Sequence, residues 1–124
     1  MSDLEAIWRS HYVHPGQWDK IFAPMTLPDM FAASVAANGR AVLTDFLGAR
    51  LSYAEIGAKA DAFAGSLAAM GFAKGDRIGL YLPNVPDYLI AYYGALKAGG
   101  IVVNMSPLYS RAELAHQIAD SGAR

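Results

Sequence analysis

GDRIGLYLPNVPDYLIAYYGALKAGGIVVN, residues 75–104, decides how this chain folds. RIGLYL (77–82) is a near-continuous apolar run, as expected of a strand covered by helices on both faces of a parallel sheet. Pro83, Asn84 and Pro86 then open a helix over 86–98. Asp87 stands at its start and Lys97 at its end, where the helix macrodipole favours each charge. Everything between those two charges is apolar, Gly or Tyr, so the helix is expected to be covered on more than one side. Gly99-Gly100 ends it, and IVVN (101–104) is a second buried strand. Strand, helix and strand with short joins make a βαβ unit, expected to be parallel and right-handed.

Working upstream, Ser52 and Glu55 have the S-x-x-E spacing of a capping box at the start of a long helix. Ile56, Ala60, Phe63, Leu67 and Met70 recur every three or four residues and predict its buried face, with Glu55 and Lys59 paired opposite. Gly71 is expected to stop the helix in a left-handed cap. Before it, AVLTDF (41–46), Gly48 and Arg50-Leu51 read as a hairpin. Pro28 fits the first turn of a short helix with Phe31 and Val35 buried and Asn38-Gly39 at its end. Residues 1–27, with Pro15 and Pro24 among Trp8, Tyr12 and Trp18, predict an extended N-terminal arm with aromatic anchors. The remainder, 28–124, reads as one partial α/β domain.

Downstream, a polar turn at Ser106-Pro107 leads to a second S-x-x-E box, Ser110 and Glu113. The helix it opens is expected to bury Leu114, Ala115 and Ile118. Alternating strands and helices build a sheet one strand at a time, and another strand is due after this helix. The fold class is therefore α/β, and the domain reads as incomplete, with an exposed sheet edge.

At 124 residues, 54% hydrophobic and 17% charged, the chain has ample core material for one modest domain and is not a disordered segment. A net charge of −1 without any basic run excludes an electrostatic nucleic-acid footprint. The absence of cysteine excludes disulfides and thiolate sites. MSDLEAIWRSHY lacks the basic and apolar regions of a signal peptide, and YLIAYYGALKAGGIVVNM is broken by Lys97 and glycines. A cytoplasmic protein without a transmembrane segment is expected.

No catalytic, cofactor-binding or metal-binding residue is assigned. His11 and His14 are three apart, but Pro15 breaks the helix that would bring them together and no ligand set is complete. His116 reads as an ordinary helix side chain. Tyr81, Tyr88, Tyr92 and Tyr93 lack the basic neighbours of a base-stacking platform and read as packing groups. Asp76 and Asp87 read as a turn residue and a helix-start charge. Neither G-x-G-x-x-G nor G-x-x-x-x-G-K-[ST] occurs.

Three ordered stretches, LSYAEI (51–56), GDRIGLYLPN (75–84) and LKAGGIVVNMSPLYSRAEL (96–114), resemble the N-terminal region of AMP-forming acyl-CoA synthetases, the adenylate-forming ligases. NMSPLYSRAELAHQIADSG (104–122) is most similar to the bacterial long-chain fatty acid–CoA ligase branch. The resemblance implies an α/β fold that is part of the large domain of such an enzyme. It implies ATP-dependent activation of a carboxylic acid, with a fatty acid as the expected substrate, as acyl-adenylate, followed by transfer to coenzyme A, with Mg²⁺ offsetting the triphosphate charge. The matched residues are framework: Ser52 and Glu55 cap, Gly75-Asp76 turn, Gly99 stops a helix, Pro107 shapes a loop. Ser106 stands where that branch often carries Asn. Lys20, Lys59, Lys74 and Lys97 match none of the family's catalytic contexts, so this stretch alone is expected to be non-catalytic and to bind neither ATP, Mg²⁺ nor coenzyme A. Association into a homo-oligomer through exposed apolar faces is expected. The alternative reading is a stand-alone protein-interaction module using an exposed sheet edge.

Overall fold

The computed structural model describes residues 3–11, 16 and 20–124. Its elements run α1 (Asp3–His11), α2 (Leu27–Asn38), β1 (Val42–Phe46), β2 (Ala49–Ser52), α3 (Tyr53–Ala69), β3 (Arg77–Leu80), α4 (Pro86–Lys97), β4 (Ile101–Asn104) and α5 (Arg111–Ser121).

β3 and β4 pair in parallel, Arg77 opposite Ile101 through Leu80 opposite Asn104, with α4 as the crossover. The βαβ unit is thus present, although β3 stops at Leu80 and not at Leu82. The Leu80 carbonyl takes the last rung from the Met105 N–H at 3.0 Å. Apart from Asp87, every residue of α4 is at least partly covered, as the run of apolar residues and tyrosines requires. Gly94 explains how α3 comes so near: a Cβ there would lie 2.8 Å from both the Ala60 carbonyl oxygen and Phe63 Cδ1.

The capping boxes form as the spacing predicts. The Ser52 N–H donates to Glu55 Oε2 at 2.8 Å while the Glu55 N–H donates to Ser52 Oγ at 3.3 Å. Ser110 and Glu113 repeat the arrangement at the same distances. α3 ends in a Schellman pair, Gly71 N–H to the Ala68 carbonyl and Phe72 N–H to the Leu67 carbonyl, with Gly71 at φ 82°. α2 starts on Thr26, whose Oγ1 accepts from the Asp29 N–H at 3.2 Å, with Pro28 in the first turn. The core centres on Ile56, Ala60 and Ala95, all fully buried, with Phe31, Leu67, Leu80 and Ala91 around them.

β1 and β2 form the expected hairpin, Phe46 opposite Ala49, with a bulge between Val42 and Thr44. Both turn residues have positive φ, Leu47 at 52° and Gly48 at 84°, which matches the twist that two-residue hairpins need.

Three expectations need correction. Residues 3–11 are helical and not an extended arm: Leu4, Ile7 and Trp8 follow helical spacing, and the first proline comes only at Pro15. Tyr12, His14, Pro15 and Trp18 lie outside the described residues. Met70 is 82% exposed, because it is the cap where the chain turns away from the α3 face. Finally, α5 buries no residue: Leu114 is half-covered, Ala115 exposed and Ile118 41% exposed. A helix that packs on one side of a two-stranded sheet has too little surface beneath it.

Candidate functional site: the carboxyl ends of the parallel strands

In an open α/β sheet, ligands bind where strands end at their carboxyl side, because the loops there are free of the ladder. Here those ends are the loop 81–85 after β3 and the loop 105–110 after β4. Asn104 joins them. Its Oδ1 accepts from the Tyr88 hydroxyl at 2.8 Å, and its carbonyl accepts from Gln117 Nε2 at 3.0 Å. The Tyr81 hydroxyl reaches over to the Pro107 carbonyl at 3.0 Å. Elements α4, β4 and α5 are thereby tied through neutral donors, which hold the loop after β4 against the loop after β3.

Beside this hub, a cleft of about 390 Å³ opens between Leu43–Phe46 of β1 and Asn84–Leu89 at the start of α4. Thr44 Oγ1 is buried there without a hydrogen-bond partner, and Val85 caps α4 with no side-chain bond. Gln117 Oε1 is the other buried oxygen without a partner among the described residues.

Tyr88 and Tyr92 stack at 5.8 Å, and Tyr93 stacks on Phe31 at 3.9 Å with the rings 8° from parallel, so the tyrosines of α4 are packing groups as expected. Burial raises the Tyr93 phenol above its usual range, with Tyr92 and Tyr53 adding smaller pushes. Asp76 is a turn residue: it accepts from the Ala73 N–H at 2.9 Å and pairs with Arg124. Those two contacts, the backbone N–H first, hold its carboxyl below the ordinary carboxylate value. His11 Nδ1 lies 2.7 Å from Ser10 Oγ, and His116 is exposed on α5. Lys97 pairs with Asp61, and Lys20 sits 5.2 Å from the Phe22 ring centre.

Among the described residues, no three His, Asp or Glu side chains converge on a point that could hold a metal ion. The groups that do converge, Tyr81, Tyr88, Asn104 and Gln117, are neutral and bonded to one another or to backbone. They do not match the charge of a triphosphate and its cation. The hub around Asn104 was missed in the sequence. Only the chance that Asn104, at a strand end, faces Tyr88 and Gln117 on two neighbouring helices could have signalled it, and that needs the fold.

The family of AMP-binding enzymes matches residues 31–124. A long-chain-fatty-acid–CoA ligase from Escherichia coli is 41% identical over an alignment covering 97% of this chain and 22% of that protein. The long-chain-fatty-acid–CoA ligase of Bacillus subtilis is 35% identical over 92% of this chain and 20% of its own length. A solved Mycobacterium tuberculosis fatty acyl CoA synthetase superposes with a TM-score of 0.73 at 29% identity, covering 78% of this chain and 20% of that one. The chain thus spans about a fifth of the length of the curated relatives it matches. No helix among the described residues is long and apolar enough to cross a membrane.

Proposed function

The chain belongs to the AMP-binding enzyme family, and from that footing we propose that it forms the front portion of an acid–CoA ligase acting on a fatty acid. Its relatives are named long-chain-fatty-acid–CoA ligases, and the family resemblance implies the course: a carboxylate is activated with ATP as acyl-adenylate and passed to coenzyme A. The observation that carries this reading is identity of 41% with a long-chain-fatty-acid–CoA ligase over an alignment that covers 97% of the chain. Within such an enzyme these residues serve as scaffold. They set α3 and α4 against the sheet and hold the strand-end loops in place, and the groups that grip the triphosphate and its Mg²⁺ come from elsewhere in the polypeptide.

The test takes the open reading frame that contains this sequence and measures fatty-acid-dependent ATP–pyrophosphate exchange and thioester formation. Exchange by the whole product, and none by residues 1–124 alone, is expected. A whole product inert with every fatty acid and active with another acid class would replace the substrate; turnover by residues 1–124 would overturn the scaffold role.

A further inference from the structure

α5 is anchored to the sheet without settling onto it. Its first turn is fixed by the capping box of Ser110 and Glu113, and Gln117 Nε2 donates to the Asn104 carbonyl at 3.0 Å. Leu114 and Ile118, one turn apart on the same side of the helix, are nevertheless only half-covered and 41% exposed. The space they roof is a slot of about 140 Å³ between α5 and β3.

The slot is lined with hydrocarbon. Gly79, Met105 and Ala123 lie opposite Leu114 and Ile118, and Tyr81 and Arg124 complete the lining. Glycine sets its depth: a Cβ on Gly79 would stand 2.7 Å from Met105 Cε and 3.7 Å from Ala123 Cβ. The two polar side chains of the lining are already engaged. The Tyr81 hydroxyl donates to the Pro107 carbonyl at 3.0 Å, and the Arg124 guanidinium is paired with Asp76. What remains to meet a ligand is apolar, so a charged or strongly polar group would lose its hydration there without repayment.

Size and position narrow the ligand further. Apolar cavities of about 150 Å³ stay dry and take a molecule of the size of benzene, so this slot has room for about six carbons. Tyr81 and Met105 are the first residues after β3 and β4, which puts the slot at the carboxyl ends of the parallel strands.

We propose that the slot binds the hydrocarbon end of a linear aliphatic acid. About six carbons lie between Gly79 and the Leu114–Ile118 face, and the carboxylate stays outside in water. Once filled, the slot gives α5 the apolar floor that two strands do not supply. That the chain belongs to a carboxylic acid rests on the function proposed above; the preference for an alkyl chain follows from the lining alone.

The test uses the whole product of the reading frame with labelled methionine methyl groups, the Met105 signal being assigned through Met105→Leu. Butyrate, hexanoate and octanoate are titrated in turn and the Met105 methyl is followed by NMR. Saturable shifts are expected, with affinity rising about tenfold for each two carbons added. Ile118→Trp, which fills the slot from a partly exposed position, should abolish the octanoate shift, and Ile118→Ala should keep it. A Met105 methyl that octanoate leaves unmoved would give the slot to another part of the polypeptide and overturn the proposal. So would a shift that survives Ile118→Trp in full, or one of equal affinity for butyrate and octanoate. The readout does not depend on turnover: octanoate bound at Met105 by a product that activates no fatty acid would remove the proposed function and leave the slot.

Discussion

The main chain of Arg124 brackets Ile78, taking the Gly79 N–H and giving its own N–H to the Arg77 carbonyl, while its guanidinium pairs with Asp76 at the foot of β3. Backbone and side chain therefore tie the same residue to the same strand. The ion pair is the weaker tie, since the Arg124 side chain is 70% exposed and screened by solvent.

Replacing Arg124 by Gln separates the two contributions at Asp76. The Asp76 carboxyl, read by NMR titration, should move up but stay below its ordinary 3.8, because the Ala73 N–H is the larger cause of its depression. A return all the way to 3.8 would transfer the leading role to Arg124.

Acid should loosen α3 and α5 together. Glu55 is held below its ordinary value of 4.5 chiefly by the Ser52 N–H, and Glu113 below 4.5 chiefly by the Ser110 hydroxyl. With folded values depressed, the unfolded chain binds more protons, so this stabilisation is complete above 4.5 and fades as pH falls through the folded values. Ser52→Ala should cost about 1 kcal/mol at neutral pH and progressively less below 4.5. Denaturant unfolding at a series of pH values checks it; a cost that stays constant into acid would remove Glu55 from the account.

Gly94→Ala should destabilise by roughly 1–3 kcal/mol, although alanine is the better helix former. The added methyl meets the Ala60 carbonyl, which is backbone and cannot rotate aside. A melting temperature equal to or above that of the parent chain would mean that α3 and α4 can separate freely.

Leu47 occupies a left-handed conformation at φ 52° with 92% of its surface exposed, so nothing it touches repays the strain. Leu47→Asn should stabilise by about 0.5–1 kcal/mol and leave the hairpin register unchanged. Chemical denaturation gives the sign directly.

Ile56→Ala should cost about 2–5 kcal/mol, since Ile56 is fully buried and flanked by Ala60, which cannot fill the space. A loss under about 1 kcal/mol would place the centre of the core elsewhere.

Features written in neighbouring residues were legible from the chain alone. Ser52 and Glu55, Ser110 and Glu113, Gly71 and Gly99 announce where helices start and stop because caps act over three to six residues. RIGLYL and IVVN likewise announce buried strands, and the resemblance of three ordered stretches to one enzyme family pointed to the same architecture that the relatives share. Folding brought in whatever joins distant residues. Asn104 becomes a hub only because β4 places it between Tyr88 and Gln117, Gly94 matters only because α3 crosses it, and α5 stays uncovered only because two strands offer too small a floor. Local hydrogen bonds and apolar periodicity repeat along the chain and can be read there; contacts between elements depend on the path the backbone takes through space, and no stretch of sequence records that path in one place.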